Sequence, residues 1–270
     1  MLFAASGELK FKKSVLANYY PTYSKIKDTL FTLTNNYIEI NLNEQRAKLH
    51  QKNDSTLEFK ISSGNSKISK GIETPTGIFT VQNKSPLATS KQFNDAKLFN
   101  WIGFNGNIGF HGLEGKSYYN TLGKRASSHG CVRISIEDGK TLYSKVKTGT
   151  PVIVVDKEPA RIISFIDSNE FYLPNNIFID NFLKPNRKLL NRRLDNLYSG
   201  LAFRENYERI VINVSYILRN WIIDVGDFSK VPEKQKEPLL GSFLKFKSDN
   251  ATSNIKSKKL LFKDSTKMVQ

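Results

Sequence analysis

Sulfur is nearly absent from this chain: one cysteine and two methionines in 270 residues. A single thiol excludes an internal disulfide framework and any metal site built on several cysteines. Histidine is almost as scarce, with three. No apolar run approaches the ~18 residues that a spanning helix needs, so no transmembrane segment is expected. The opening residues, MLFAASGELKFKK, lack a charged leader ahead of an apolar core, so no complete signal peptide is visible. Acid is also in short supply: 25 Asp and Glu stand against 41 Lys and Arg, a net charge of +16. The excess is spread, with 22 basic against 12 acidic residues in 1–157 and 19 against 13 in 158–270. Spread basicity favours contact with a polyanion and does not choose between nucleic acid, anionic lipid and an anionic wall polymer. No nucleic-acid-binding motif accompanies it, so nucleic acid is not an expected partner.

What is present first is alternation. YIEINL (37–42) places Ile38, Ile40 and Leu42 on one face, and AKLH (47–50) and TLEFKIS (56–62) alternate in the same way. Period two with turn residues between predicts successive antiparallel strands. Pro75 and Gly77 mark a turn feeding a further strand over 78–81. WIGFNGNIGFHG fits short strands or loops near a site. SIEDGKTLYSKV predicts a helix with Ser135 as N-cap and Asp138 near the third position, stopped by Gly149. TPVIVV is then a buried strand. The expected organisation is an N-terminal segment (1–36) with helix-like pieces KKSVLANYY and YSKIKDTLF. A mainly β, sandwich-like domain (37–157) follows, with one helix beside the cysteine. Next comes a mostly helical accessory region (158–228), then a lysine-rich tail (229–270) of mobile character. Within the accessory region IISFI can be one more strand. NRKLLNRRLDNLYSG reads as a helix, and Ile210, Val211, Val214, Ile217, Leu218, Trp221, Ile222 and Val225 recur at helical spacing.

The cysteine, Cys131, lies in RASSHGCVRIS. A lone cysteine is ordinarily a small buried hydrophobe. Here two of the three histidines, His111 and His129, fall within 20 positions of it. A thiol reacts as thiolate and needs a base or positive charge nearby. In extended chain His129 and Cys131 face the same side, and Gly130 between them permits close approach of a ligand. Backbone N–H groups at Gly130 and Cys131 can form an oxyanion hole. His111, flanked by Gly109 and Gly112, can take the thiol proton if its other nitrogen is held. A Cys-His-His zinc site is the rival, weakened by the lack of a fourth ligand at suitable spacing. His50, within a strand, reads as structural.

The run His111, sixteen intervening residues, then Ser128-His129-Gly130-Cys131 resembles the signature of the L,D-transpeptidase catalytic domain, the YkuD-type family. So do IEINLNEQRAKLH, ISSGNSKISKGIETPTGIFTV and DGKTLYSKVKTGTPVIV, in the same order. The resemblance spans about 37–156. It implies a β-sandwich-like fold and acyl transfer on peptidoglycan stem peptides. Cys131 would be the nucleophile, His111 the base and the Gly112 carbonyl its orienting partner. Ser128, His129, Gly130 and Arg133 would hold substrate or oxyanion. Arg133 stands where the family pattern often has Asn; it would pair with a stem-peptide carboxylate or serve a structural ion pair. No metal or organic cofactor is implied. The location implied is the periplasm or cell envelope, and the thiol would be a carbapenem target. An L,D-carboxypeptidase, a transpeptidase anchoring a lipoprotein, and a non-catalytic basic wall-binding protein remain alternatives. The C-terminal region can recruit an envelope protein.

Overall fold

Alternating side chains set the first strands. The computed structural model describes residues 27–170, 176–178, 183–198, 209–212 and 222–230. Strand β1 (Asp28–Thr32) precedes β2 (Asn36–Asn41), β3 (Arg46–Gln51) and β4 (Leu57–Ser62). Ile38 and Ile40, Ala47 and Leu49, and Phe59 and Ile61 all point into one core, as period two requires. Then come β5 (Gly77–Thr80), β6 (Asn83–Ser90), β7 (Ala96–Asn105), β8 (Ile108–Leu113) and β9 (Val132–Ile134). Helix α1 (Ile136–Lys145) follows, capped by Ser135, whose hydroxyl accepts the Asp138 N–H at 2.9 Å. The helix ends four residues before Gly149, because Val146 turns to extended backbone and is buried in the core. WIGFNGNIGFHG is the hairpin of β7 and β8, longer than short strands or loops. The polar, largely exposed β6 carries no alternation that the sequence could announce.

Strand β10 (Pro151–Val155) explains the unbroken apolar run TPVIVV. Val152 and Val154 enter the core of a nine-stranded sheet ordered β5-β10-β2-β3-β4-β9-β8-β7-β6. Ile153 and Val155 point the other way, into a second core. The large sheet curls on itself: Phe79 of β5 meets Phe104 of β7, ring centroids 5.6 Å apart, although seven strands along the sheet from β5 to β7. The domain is thus mainly β and sandwich-like, with α1 laid against β7 and β8.

The second core lies under a small parallel sheet ordered β11-β1-β13-β12. Its strands are β11 (Arg161–Phe165), β12 (Asn176–Phe178), β13 (Arg209–Val211) and β1, and helix α2 (Leu183–Tyr198) packs on it through Leu190. IISFI is therefore a strand, and the NRKLL helix forms, starting earlier than its most periodic part. Two expectations are corrected. Asp28–Phe31 of YSKIKDTLF is strand, not helix, and the described part of 158–228 is mixed, with three strands beside one helix. Ile210 and Val211 sit in β13, and Ile223 exchanges backbone hydrogen bonds with Ile78 at 2.8 and 3.2 Å, so neither end of the Ile210–Val225 stripe is helical. β-Branched residues fit a pleated strand at least as well as a helix, and their strand partner β1 is far away in sequence. Val214, Ile217, Leu218 and Trp221, the piece KKSVLANYY and all the tail beyond Lys230 lie outside the described residues.

A buried charge cluster ties this layer together. Asp28 on β1 accepts a hydrogen bond from Arg193 of α2 and faces Arg161 Nε of β11 at 3.8 Å. Arg161 is wholly buried and donates through Nη1 to the Asp224 carbonyl at 2.8 Å. Removing one partner of a buried ion pair leaves an uncompensated charge, at about 3–5 kcal/mol. Asp28→Ala, which removes the buried carboxylate that faces both guanidinium groups, is expected to lower unfolding free energy by about that amount in urea titration.

Candidate functional site

The parallel pairing of β8 with β9 places the site. Phe110 lies beside Val132 and His111 beside Arg133. One step back in this register, Gly109 lies beside Cys131, whose sulfur takes the influence of the Gly109 N–H. Cys131 is half-buried, its Sγ 3.4 Å from the Asn107 carbonyl at the β7–β8 turn. The two strands thus bring together residues that the sequence holds 20 positions apart.

His111 is buried, with its Nδ1 3.1 Å from the Gly112 carbonyl. A carbonyl only accepts, so Nδ1 carries the proton and Nε2 is the basic nitrogen. Trp101 stacks over the ring at 6.1 Å between centroids. Burial pushes the imidazole down to about 4; the Gly112 carbonyl opposes this, and the Arg133 charge adds to it. Burial pushes the Cys131 thiol up, opposed by the Gly109 N–H and the Arg133 guanidinium. At neutral pH the pair is a neutral thiol beside a neutral imidazole, not an ion pair.

Ser128 does not face solvent. Its hydroxyl accepts the Gly130 N–H at 3.1 Å and donates to the Cys131 carbonyl, which folds Ser-His-Gly-Cys into a tight turn. The Gly130 N–H is therefore engaged inside the turn. Gly130 has φ +136°, a conformation that side chains other than hydrogen rarely adopt. His129 packs against Phe93 at 4.7 Å between ring centroids; Phe93 ends the 3₁₀ turn at the tip of the β6–β7 hairpin. Arg133 donates through Nη1 to the Ser127 carbonyl and hydroxyl at 3.1 and 3.2 Å, and its Nε is buried without a partner. Among the described residues it is thus anchored to the loop and in no ion pair, with its charge felt by both Cys131 and His111. Among the described residues no cluster of three or more His, Cys, Asp or Glu could hold a metal. His50 stacks on Tyr37 at 4.4 Å and meets Glu39 at 3.1 Å, away from this site.

Sequence reasoning passed over Trp101, Asn107 and Thr74, which together hold the histidine, the sulfur and the Gly130 carbonyl. Each left a signal only as part of a run: Trp101 and Asn107 in WIGFNGNIGFHG, Thr74 in ETPTG.

Two pH effects follow. His111 binds a proton at about 4 when folded and near 6.5 when unfolded, so folding stability falls as pH drops from 6.5 to 4. The loss is about 3 kcal/mol, and urea unfolding of His111→Gln should lack it. Alkylation of Cys131 by iodoacetamide should keep accelerating above pH 9, with no plateau near neutrality.

Residues 35–154 match the family model of the YkuD L,D-transpeptidase catalytic domain. A Bacillus subtilis protein named "Putative L,D-transpeptidase YciB" is 27% identical over 128 residues, covering 44% of this chain and 64% of that protein. An L,D-transpeptidase from Mycobacterium smegmatis aligns at 18% identity and TM-score 0.40, over 45% of this chain and 58% of that one. One from Stackebrandtia nassauensis aligns at 22% identity and TM-score 0.39, over 47% and 58%. The chain thus spans less than two thirds of the length of these relatives. The part of the chain from 35 to 154, which carries His111 and Cys131, is thus the part that matches the L,D-transpeptidase catalytic domain.

Proposed function

We propose that the protein is a cysteine-dependent acyltransferase that forms 3–3 cross-links between peptidoglycan stem peptides in the cell envelope. One observation carries this reading: His111, with Nδ1 held by the Gly112 carbonyl, stands on β8, and Cys131 directly precedes β9, which pairs with β8 in parallel. His111 Nε2 takes the thiol proton as Cys131 Sγ attacks the carbonyl of the third stem residue. A neutral pair makes this proton transfer part of the transition state rather than a standing thiolate. The tetrahedral oxyanion is held by the Cys131 N–H, with His129 beside it; the Gly130 N–H already bonds Ser128. Collapse breaks the C–N bond to D-Ala, and His111 returns the proton to the departing amine. The thioester is then attacked by an acceptor amine, which yields its proton to His111; an amide forms and the thiol is restored. The roles of donor and acceptor peptides are inferred from membership of the family. Neither step needs a metal or organic cofactor. The Arg133 charge, fixed on Ser127, favours the thiolate as it develops. The spread basic charge suits an anionic wall. The layer formed by β1, β11–β13 and α2 is a surface on which an envelope protein can dock.

Mass spectrometry after incubation with disaccharide-tetrapeptide should find a cross-linked dimer. Cys131→Ala should abolish it, and His111→Ala should slow it by about 100-fold or more. Adduct formation with a carbapenem should likewise need Cys131. A tripeptide as sole product would make the protein an L,D-carboxypeptidase. Product appearing only with a lipoprotein lysine as acceptor would make it an anchoring enzyme. No product and no adduct, with wall binding unchanged by Cys131→Ala, would make it a non-catalytic wall-binding protein.

A further inference from the structure

We propose that Thr74 is a positioning residue for the acyl-transfer step: its hydroxyl clamps the Gly130 carbonyl and so fixes where the Cys131 N–H points. This rests on the acyl-transfer reading above. Thr74 is buried. Its hydroxyl donates to the Gly130 carbonyl at 2.7 Å and accepts the Gly64 N–H at 2.9 Å. A trans peptide is planar, with its C=O and N–H on opposite sides. Holding the Gly130 carbonyl against buried Thr74 therefore turns the Cys131 N–H the opposite way. Ser128 meanwhile holds the Gly130 N–H and the Cys131 carbonyl. Three of the four polar groups along Gly130–Cys131 are thereby clamped by two hydroxyls, and the fourth is the donor that an oxyanion requires. The clamp has no slack. A Cβ on Gly64 would come within 2.7 Å of the Gly130 Cα and 2.3 Å of the Ile72 carbonyl, so the two backbones pack directly.

Thr74 is held in its turn. Four residues on, Ile78 of β5 exchanges two hydrogen bonds with Ile223, and the neighbouring Val225 carbonyl accepts the Arg161 N–H at 3.1 Å. The strap at 222–225 thus secures the strand that follows Thr74. The two hydrogen bonds of the Thr74 hydroxyl go to backbone groups, and its contribution passes through one peptide plane. A donor aimed at the oxyanion matters only when charge develops on the substrate oxygen. It does nothing for displacement of iodide by the thiolate, which forms no oxyanion.

That difference is the test. Thr74→Val keeps the branched shape and removes both hydrogen bonds; Thr74→Ser keeps them. Carbapenem acylation and iodoacetamide alkylation of Cys131 are followed by mass in the full chain. For Thr74→Val the saturating acylation rate should fall about tenfold to a hundredfold, with the half-saturating concentration nearly unchanged. Alkylation should keep its parental rate, and Thr74→Ser should acylate close to the parent. If Thr74→Val does not fold, Thr74→Ala is read in the same way. Acylation at the parental rate, or alkylation falling in parallel with acylation, overturns the proposal. A parent protein that alkylates normally and never acylates overturns the acyl-transfer reading instead, and this inference with it.

Discussion

The parallel pairing of β8 with β9 is the constraint on which the site depends. Neighbouring parallel strands cannot be joined by a tight turn; the chain must travel back along the whole strand before it can pair. Between Leu113 and Val132 it does so through a 3₁₀ turn at Ser117–Thr121 and the loop to Ser128. The sixteen-residue gap between His111 and Ser128 is the length of that return. Tyr118 braces it, donating to the Ile134 carbonyl and accepting the Leu113 N–H, so the ends of both strands share one hydroxyl. The spacing of the motif is therefore a statement about sheet geometry before it is one about chemistry.

Burial decides how the residues so gathered behave. The strands that deliver His111 also enclose it, beneath Trp101, and enclosure favours the uncharged imidazole. The same enclosure favours the uncharged thiol. Arg133 works in one direction on both, disfavouring imidazolium and favouring thiolate. The site is thus quiet at rest: an exposed thiolate, open to oxidation, is avoided.

Much of this was legible in the chain. Strict alternation gave β2, β3 and β4, and Ser135 with Asp138 marked the start of α1. The spacing of His111 and Cys131 pointed to the site. What was hidden depends on partners far apart in sequence. Asp28–Thr32 is strand because β11 and β13 flank it, a fact with no local trace. Ser128 and Gly130 looked like groups facing a substrate, yet their hydroxyl and N–H satisfy each other, because a turn this tight must pair its own polar groups. Thr74 lay in plain view, and only the fold shows its hydroxyl on Gly130.

The small sheet encloses the catalytic domain in time as well as in space. Asp28 pairs with Arg161, 133 residues later, and Leu30 with Ile210, 180 later. The entire nine-stranded sheet is strung between two neighbouring strands of another. During synthesis at about 5–20 residues per second, β1 leaves the ribosome with neither partner yet made. For about ten seconds it is a strand with two open edges while the residues of β2 to β10 are made. Ile153 and Val155 on β10 offer that strand a first surface before its own sheet exists. The chain order sets one limit: the layer that braces the domain carrying the cysteine can close only after the whole of that domain has emerged.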